Sequence, residues 1–173
     1  MRDEDRSEVD GRPPFPRTTR VRISIIGAGE ASPTELALAE ALGRALGDAG
    51  AVVVTGGLGG VMEAASRGCL EAGGLTLGFL PGSDPSSANA WVSIPVATGM
   101  GEARNALVVR AGEAVVAVGG GWGTLSEIAL AKKMGREVIL LGDSSFDLPL
   151  PKTKTGEEAA SWALLQAAGS AGR

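Results

Sequence analysis

The run Gly119-Gly120-Gly121-Trp122-Gly123-Thr124 follows an apolar stretch and opens a helical pattern. Glycines at such a turn let a ligand approach the main chain closely. Free N–H groups and the positive end of the helix dipole then favour an anion, so the loop predicts phosphate binding. No Lys follows the last glycine, which excludes a Walker loop. The bland alternative is a merely tight turn. Two charged residues add chemistry. Glu127 lies three residues after Thr124, a spacing that also fits a capping box, Thr124-Leu125-Ser126-Glu127. The two roles can coexist. Arg104, on the preceding helical segment, can reach the same strand ends; its alternative role is a solvated helix face.

Two further glycine loops come earlier in the chain. Gly27-Ala28-Gly29-Glu30-Ala31-Ser32 is like a dinucleotide fingerprint with Ser in place of the third glycine. In that fingerprint an acid at the end of the second strand holds the ribose. Thr55-Gly56-Gly57 stands there instead, so NAD in its usual pose is not expected. What remains is either a ligand close to the backbone of Gly27 and Gly29, or a tight turn. The second loop is Thr55-Gly56-Gly57-Leu58-Gly59-Gly60-Val61-Met62-Glu63. Turn geometry explains one glycine, but four in so short a turn cost backbone entropy on folding. They point to a ligand near Gly56, Gly57, Gly60 and Met62, at the start of the next helix.

The elements that position these loops alternate. β-branched or apolar runs at Val21 to Ile26, Ala51 to Val54, Leu75 to Leu80, Trp91 to Val96, Ala114 to Val118 and Glu137 to Leu141 read as strands. Pro95 weakens the fourth. Pro33 to Leu46, Val61 to Ala72, Glu102 to Ala111 and Thr124 to Met134 read as helices. A last helix runs through Leu165, with a capping-box spacing at Thr155-Gly156-Glu157-Glu158. Ser32-Pro33 is a cap residue followed by Pro at the first helical position. Asp143 to Pro151 reads as a loop. This alternation predicts an α/β, Rossmann-like, doubly wound parallel sheet in one domain over 21–168. Ligands in such sheets sit at the carboxyl ends of the strands, which are the loops after Ile26, Val54 and Val118.

Composition excludes several chemistries. The 173 residues contain no His, so no imidazole serves as base or metal ligand. The single Cys69 allows neither an intrachain disulfide nor a Cys-rich zinc site, and it falls in an amphipathic helical pattern that suits a packing thiol. A net charge of -4 and an absence of Tyr argue against a nucleic-acid partner. Residues 1–20 mix charges with Pro13, Pro14 and Pro16, and they lack the apolar core of a secretory signal. They are expected to form a disordered tail. No stretch is apolar enough to span a membrane, and the expected location is the cytoplasm.

The second and third loops, with Arg104 between them, resemble the LOG family of Rossmann-like phosphoribohydrolases. That family's first signature, Gly-Gly-Gly-x-x-Gly-Leu-Met-Gly, aligns with Thr55 to Glu63. Its second, an Arg-Lys pair and then Pro-Gly-Gly-x-Gly-Thr-x-x-Glu, aligns with Arg104-Asn105 and with Gly119 to Glu127. Gly119 stands in place of Pro, Asn105 in place of Lys, and Ser126 in place of a first Glu. Those departures, in Ala103-Arg104-Asn105 and Gly119 to Ala131, look closer to a sister group of molybdenum-cofactor carrier-like proteins and their bacterial relatives.

The resemblance implies cleavage of the N-glycosidic bond of a nucleoside 5'-monophosphate, giving free base and ribose 5-phosphate. Glu127 would stabilise an oxocarbenium-like state and help water attack, and Arg104 would orient the nucleotide. Asn105 would stand with them, and Gly120, Gly121, Gly123 and Thr124 would hold the 5'-phosphate. No metal and no cofactor would be required. The sister group implies a binder of molybdenum cofactor, or of another phosphorylated nucleotide such as AMP, without hydrolysis. A third implied relationship, to the similar core of a DNA-processing family acting on single strands, conflicts with the acidic composition. By resemblance the chain is expected to form a homodimer or higher homo-oligomer.

Overall fold

The structure, a computed structural model, describes residues 20–170. The expected N-terminal tail lies outside the described residues apart from Arg20. Seven strands form one parallel sheet: β1 (Arg22–Gly27), β2 (Val52–Thr55), β3 (Leu75–Leu80), β4 (Ile94–Ala97), β5 (Ala114–Val118), β6 (Glu137–Leu141) and β7 (Lys152–Thr153). Their spatial order is β4-β3-β2-β1-β5-β6-β7. Five α-helices connect them: α1 (Pro33–Asp48), α2 (Val61–Glu71), α3 (Asn105–Ala111), α4 (Trp122–Lys133) and α5 (Gly156–Ser170). This is the expected single α/β, Rossmann-like domain.

The central strands are apolar because both of their faces are covered. Side chains of alternating residues go to opposite faces. Ala114, Val116 and Val118 of β5 pack with Ala39 and Leu42 of α1, Ala65 of α2 and Ala163 of α5. Val115 and Ala117 pack on the other face, with Val108 and Val109 of α3 and Ile128 of α4. Cys69 is fully buried in the first of these clusters, and burial pushes its thiol up to about 11. It is a packing thiol, as its helical pattern suggests.

β1 and β5 are hydrogen-bonded neighbours in register, with Gly27 opposite Val118. From β1 the chain winds outward through β2 and β3, and from β5 it winds the other way through β6. The crevice above their carboxyl ends is therefore the topological switch point of the sheet, where open α/β sheets bind ligands.

Local departures from the expected elements have local causes. β4 begins at Ile94, because Trp91 O and Ser93 N are both taken by the Thr76 hydroxyl. Pro95 is accommodated because β4 is an edge strand. The helix expected from Glu102 splits into a 3-10 turn, Gly101–Arg104, followed by α3. The two-residue β7 was not expected, and it pairs with Leu140 and Leu141 of β6. At α5 only half of the expected capping box forms. Thr155 Oγ1 accepts from Glu158 N at 3.3 Å, while the Glu158 carboxylate accepts from Thr153 instead of reaching back. At α1 the full box is present: Ser32 caps Glu35 N, and Glu35 returns to Ser32 N at 2.7 Å. Among the described residues no helix is long and apolar enough to cross a membrane.

Candidate functional site

The three glycine loops meet at the switch point. Val61 N, at the start of α2, donates to Ala28 O at 3.0 Å and ties the loop after β1 to the loop after β2. Asn89 braces the latter from outside, through Asn89 N to Gly57 O at 2.9 Å and Asn89 Nδ2 to Leu58 O at 2.8 Å. Between these loops, the 3-10 turn and the start of α4 lies a cavity of about 350 Å³. That volume suits a small ligand.

One wall is the N-terminus of α4. The helix begins at Trp122, two residues before the expected Thr124, and its cap residue Gly121 supplies no side-chain hydrogen bond. The capping box Thr124-Leu125-Ser126-Glu127 does not form. Ser126 Oγ donates to Gly123 O, and Glu127, a turn into the helix, is buried facing the cavity. Among the described residues no acceptor takes the N–H groups of Trp122, Gly123 or Thr124. Uncapped donors at the end of a 12-residue helix suit an anion.

The opposite wall carries Arg104, only 8% exposed. Its Nη1 donates to Asn105 Oδ1 at 2.7 Å, and its Nε is buried with no partner in the structure. The guanidinium lies against Gly56, where an added Cβ would come within 2.6 Å of both Nη atoms. Glycine at 56 is therefore what lets the cation sit at the back of the cavity.

Glu127 is 7% exposed. Among the described residues neither a hydrogen bond nor an ion pair within 4.0 Å joins it to Arg104. Burial pushes the Glu127 carboxyl up to about 7; the Arg104 charge opposes this rise and the Glu102 carboxylate adds to it. Burial lowers Arg104 from its ordinary value, while Glu127 and Glu102 oppose the fall. A carboxyl that titrates near neutrality can give or take a proton at physiological pH.

The cavity brings most of the expected residues together. Gly27 and Gly29 line it from the loop after β1, and Gly56 and Met62 from the loop after β2. Arg104 and Asn105 face Gly121, Gly123, Thr124 and Glu127 across it. Gly57, Gly60 and Gly120 are not on its lining, and each has a positive φ that makes its turn. Gly57 packs under Leu80, Gly60 against the Ala28 and Gly29 carbonyls, and Gly120 against Thr124. Gly60 lines a separate recess instead, with Glu63 and Arg67.

Glu102, which the sequence pattern does not mark, also lines the cavity from the 3-10 turn. Its only signal was proximity to Arg104, two residues on. Gly119 explains its own departure from the hydrolase pattern. Its φ is +56°, and its N–H donates to Leu141 O at 3.4 Å. Pro can adopt neither feature.

The chain matches the sequence model of the SLOG cluster4 family over residues 20–168. An uncharacterized protein of Archaeoglobus fulgidus is 42% identical over 121 residues, covering 70% of this chain and 80% of that one. The structure is similar to the molybdenum cofactor binding protein of Rippkaea orientalis. The TM-score is 0.80 at 36% identity, over 86% of this chain and 98% of that one. It is also similar to the molybdenum cofactor carrier protein of Chlamydomonas reinhardtii. There the TM-score is 0.78 at 32% identity, over 86% and 99%. DNA processing protein A of Streptococcus pneumoniae, at 16% identity and a TM-score of 0.68, covers 82% of this chain and 61% of that one, and shares the fold alone. The chain belongs to the SLOG cluster4 family.

Proposed function

We propose that the protein binds a small phosphorylated, nucleotide-like molecule in the switch-point cavity, with the phosphate on the N-terminus of α4. The observation that carries this reading is the set of N–H groups at Trp122, Gly123 and Thr124 that no acceptor takes among the described residues, with Gly123 and Thr124 on the cavity that the buried Arg104 also lines. A phosphate there meets backbone donors, a helix dipole and a cation whose Nε lacks a partner. Molybdenum cofactor is the favoured cargo, supported by the binding and carrier proteins of similar structure. A thermal-shift series with AMP, inorganic phosphate and molybdenum cofactor tests it. A ligand at 100 times its dissociation constant adds about 2.7 kcal/mol to stability. No rise with any of the three overturns the reading.

A second reading has its own observation: Glu127 faces the same cavity without a hydrogen-bond or ion-pair partner among the described residues, and burial pushes its carboxyl up to about 7. By the LOG resemblance, water would attack the anomeric carbon of a nucleoside 5'-monophosphate and the N-glycosidic bond would break with its electrons on the base. Glu127 would take the proton from water as carboxylate, or donate to the leaving base as acid. Released base from AMP, measured by chromatography, supports this reading. Glu127→Ala should then lower turnover by about 10²- to 10⁴-fold. Intact AMP after prolonged incubation at high protein leaves binding as the function. We further propose a homo-oligomer and a cytoplasmic location.

A further inference from the structure

We propose that ligand binding in this cavity takes up one proton from solvent, which ends on the Glu127 carboxyl; this rests on the binding reading above. The geometry sets up the coupling. Among the described residues the cavity is lined by one cation, Arg104, and two carboxylates, Glu102 and Glu127. The ends of β1 and β2 line it with Ile25, Ile26, Gly27 and Gly56, and contribute no ionisable side chain. Glu102 and Arg104, both from the 3-10 turn, are thus the charged groups that face Glu127.

An incoming phosphate adds negative charge to a site that already carries more carboxylate than cation. Glu127 has no hydrogen-bond donor within the described residues to hold it ionised, and burial already favours its neutral form. A like charge nearby disfavours ionisation further. The neutral carboxyl gains an O–H donor that it lacks as a carboxylate, and can offer it to an acceptor on the ligand. Arg104 is meanwhile released from opposing two carboxylates at once.

The affinity for AMP should therefore fall as pH rises above the neutral range where free Glu127 loses its proton. For one linked proton the fall approaches about tenfold per pH unit. The phosphate of AMP titrates at about pH 6, below that window. Titration calorimetry with AMP from pH 7 to 9, in two buffers of different ionisation enthalpy, reads both affinity and proton uptake. In the wild type, affinity should fall with pH and the heat should depend on the buffer. E127Q, which is neutral and nearly the same shape, should show a flat affinity and no uptake. E102Q removes a charge that raises Glu127, so its fall should begin at lower pH. AMP binding with the same flat profile in wild type and E127Q overturns the proton coupling and leaves the binding reading standing. Binding of none of AMP, inorganic phosphate and molybdenum cofactor at any pH overturns the binding reading and the coupling with it.

Discussion

Arg104 occupies the space that a side chain at Gly56 would need, with both Nη atoms within 2.6 Å of an ideal Cβ. This one contact joins the loop after β2 to the one cation that lines the cavity among the described residues. Gly56→Ala should push the guanidinium out of place at a cost of about 1–3 kcal/mol, the usual scale of overpacking. Chemical denaturation reads the stability loss, and AMP titration reads a parallel loss of affinity. Unchanged affinity would show that the position of Arg104 does not matter to binding.

Glu127 should make stability depend on pH in a defined direction. Its folded-state carboxyl titrates near 7, against 4.5 for the exposed group. Below the lower value it is protonated in both states and contributes nothing. As pH rises between the two values the unfolded chain ionises first, so the wild type loses stability relative to Glu127→Gln. The loss should reach about 3 kcal/mol above pH 7 and then stay constant. Urea denaturation of both proteins at pH 4.5 and pH 8 checks it. Equal differences at the two pH values would show that Glu127 titrates as an exposed carboxylate.

Gly119→Pro tests why the chain departs from the hydrolase pattern. The left-handed φ and the N–H bond to Leu141 are both incompatible with Pro. The substitution should cost about 3 kcal/mol or more, the scale of a misplaced proline. Thermal unfolding measures it. A neutral or stabilising Pro would mean that this loop adopts the hydrolase geometry in solution.

Much of the fold was legible because the relevant signals are local. The apolar runs of β1, β2, β5 and β6 predict strands covered on both faces, and Ser32-Pro33 predicts the cap of α1; all are present. The loops after β1, β2 and β5 followed from the alternation of strands and helices and from their glycine runs. The start of α4 was not legible: Gly123 is a poor helix former, yet it lies inside the helix, so Thr124 is buried instead of capping. Arg104 is buried at the end of a four-residue 3-10 turn, too short to show a period of its own in sequence, so the sequence could not place Glu102 on the cavity. Gly57, Gly60 and Gly120 could not be separated from the lining glycines either. A positive φ and a close ligand make the same demand on sequence.

A crystal structure of the protein grown with AMP tests phosphate binding at α4 most directly. Phosphate oxygens should lie about 3 Å from the N–H groups at Trp122 to Thr124, with Arg104 across the cavity. AMP bound elsewhere on the protein, with its phosphate away from the N-terminus of α4, would contradict phosphate binding there.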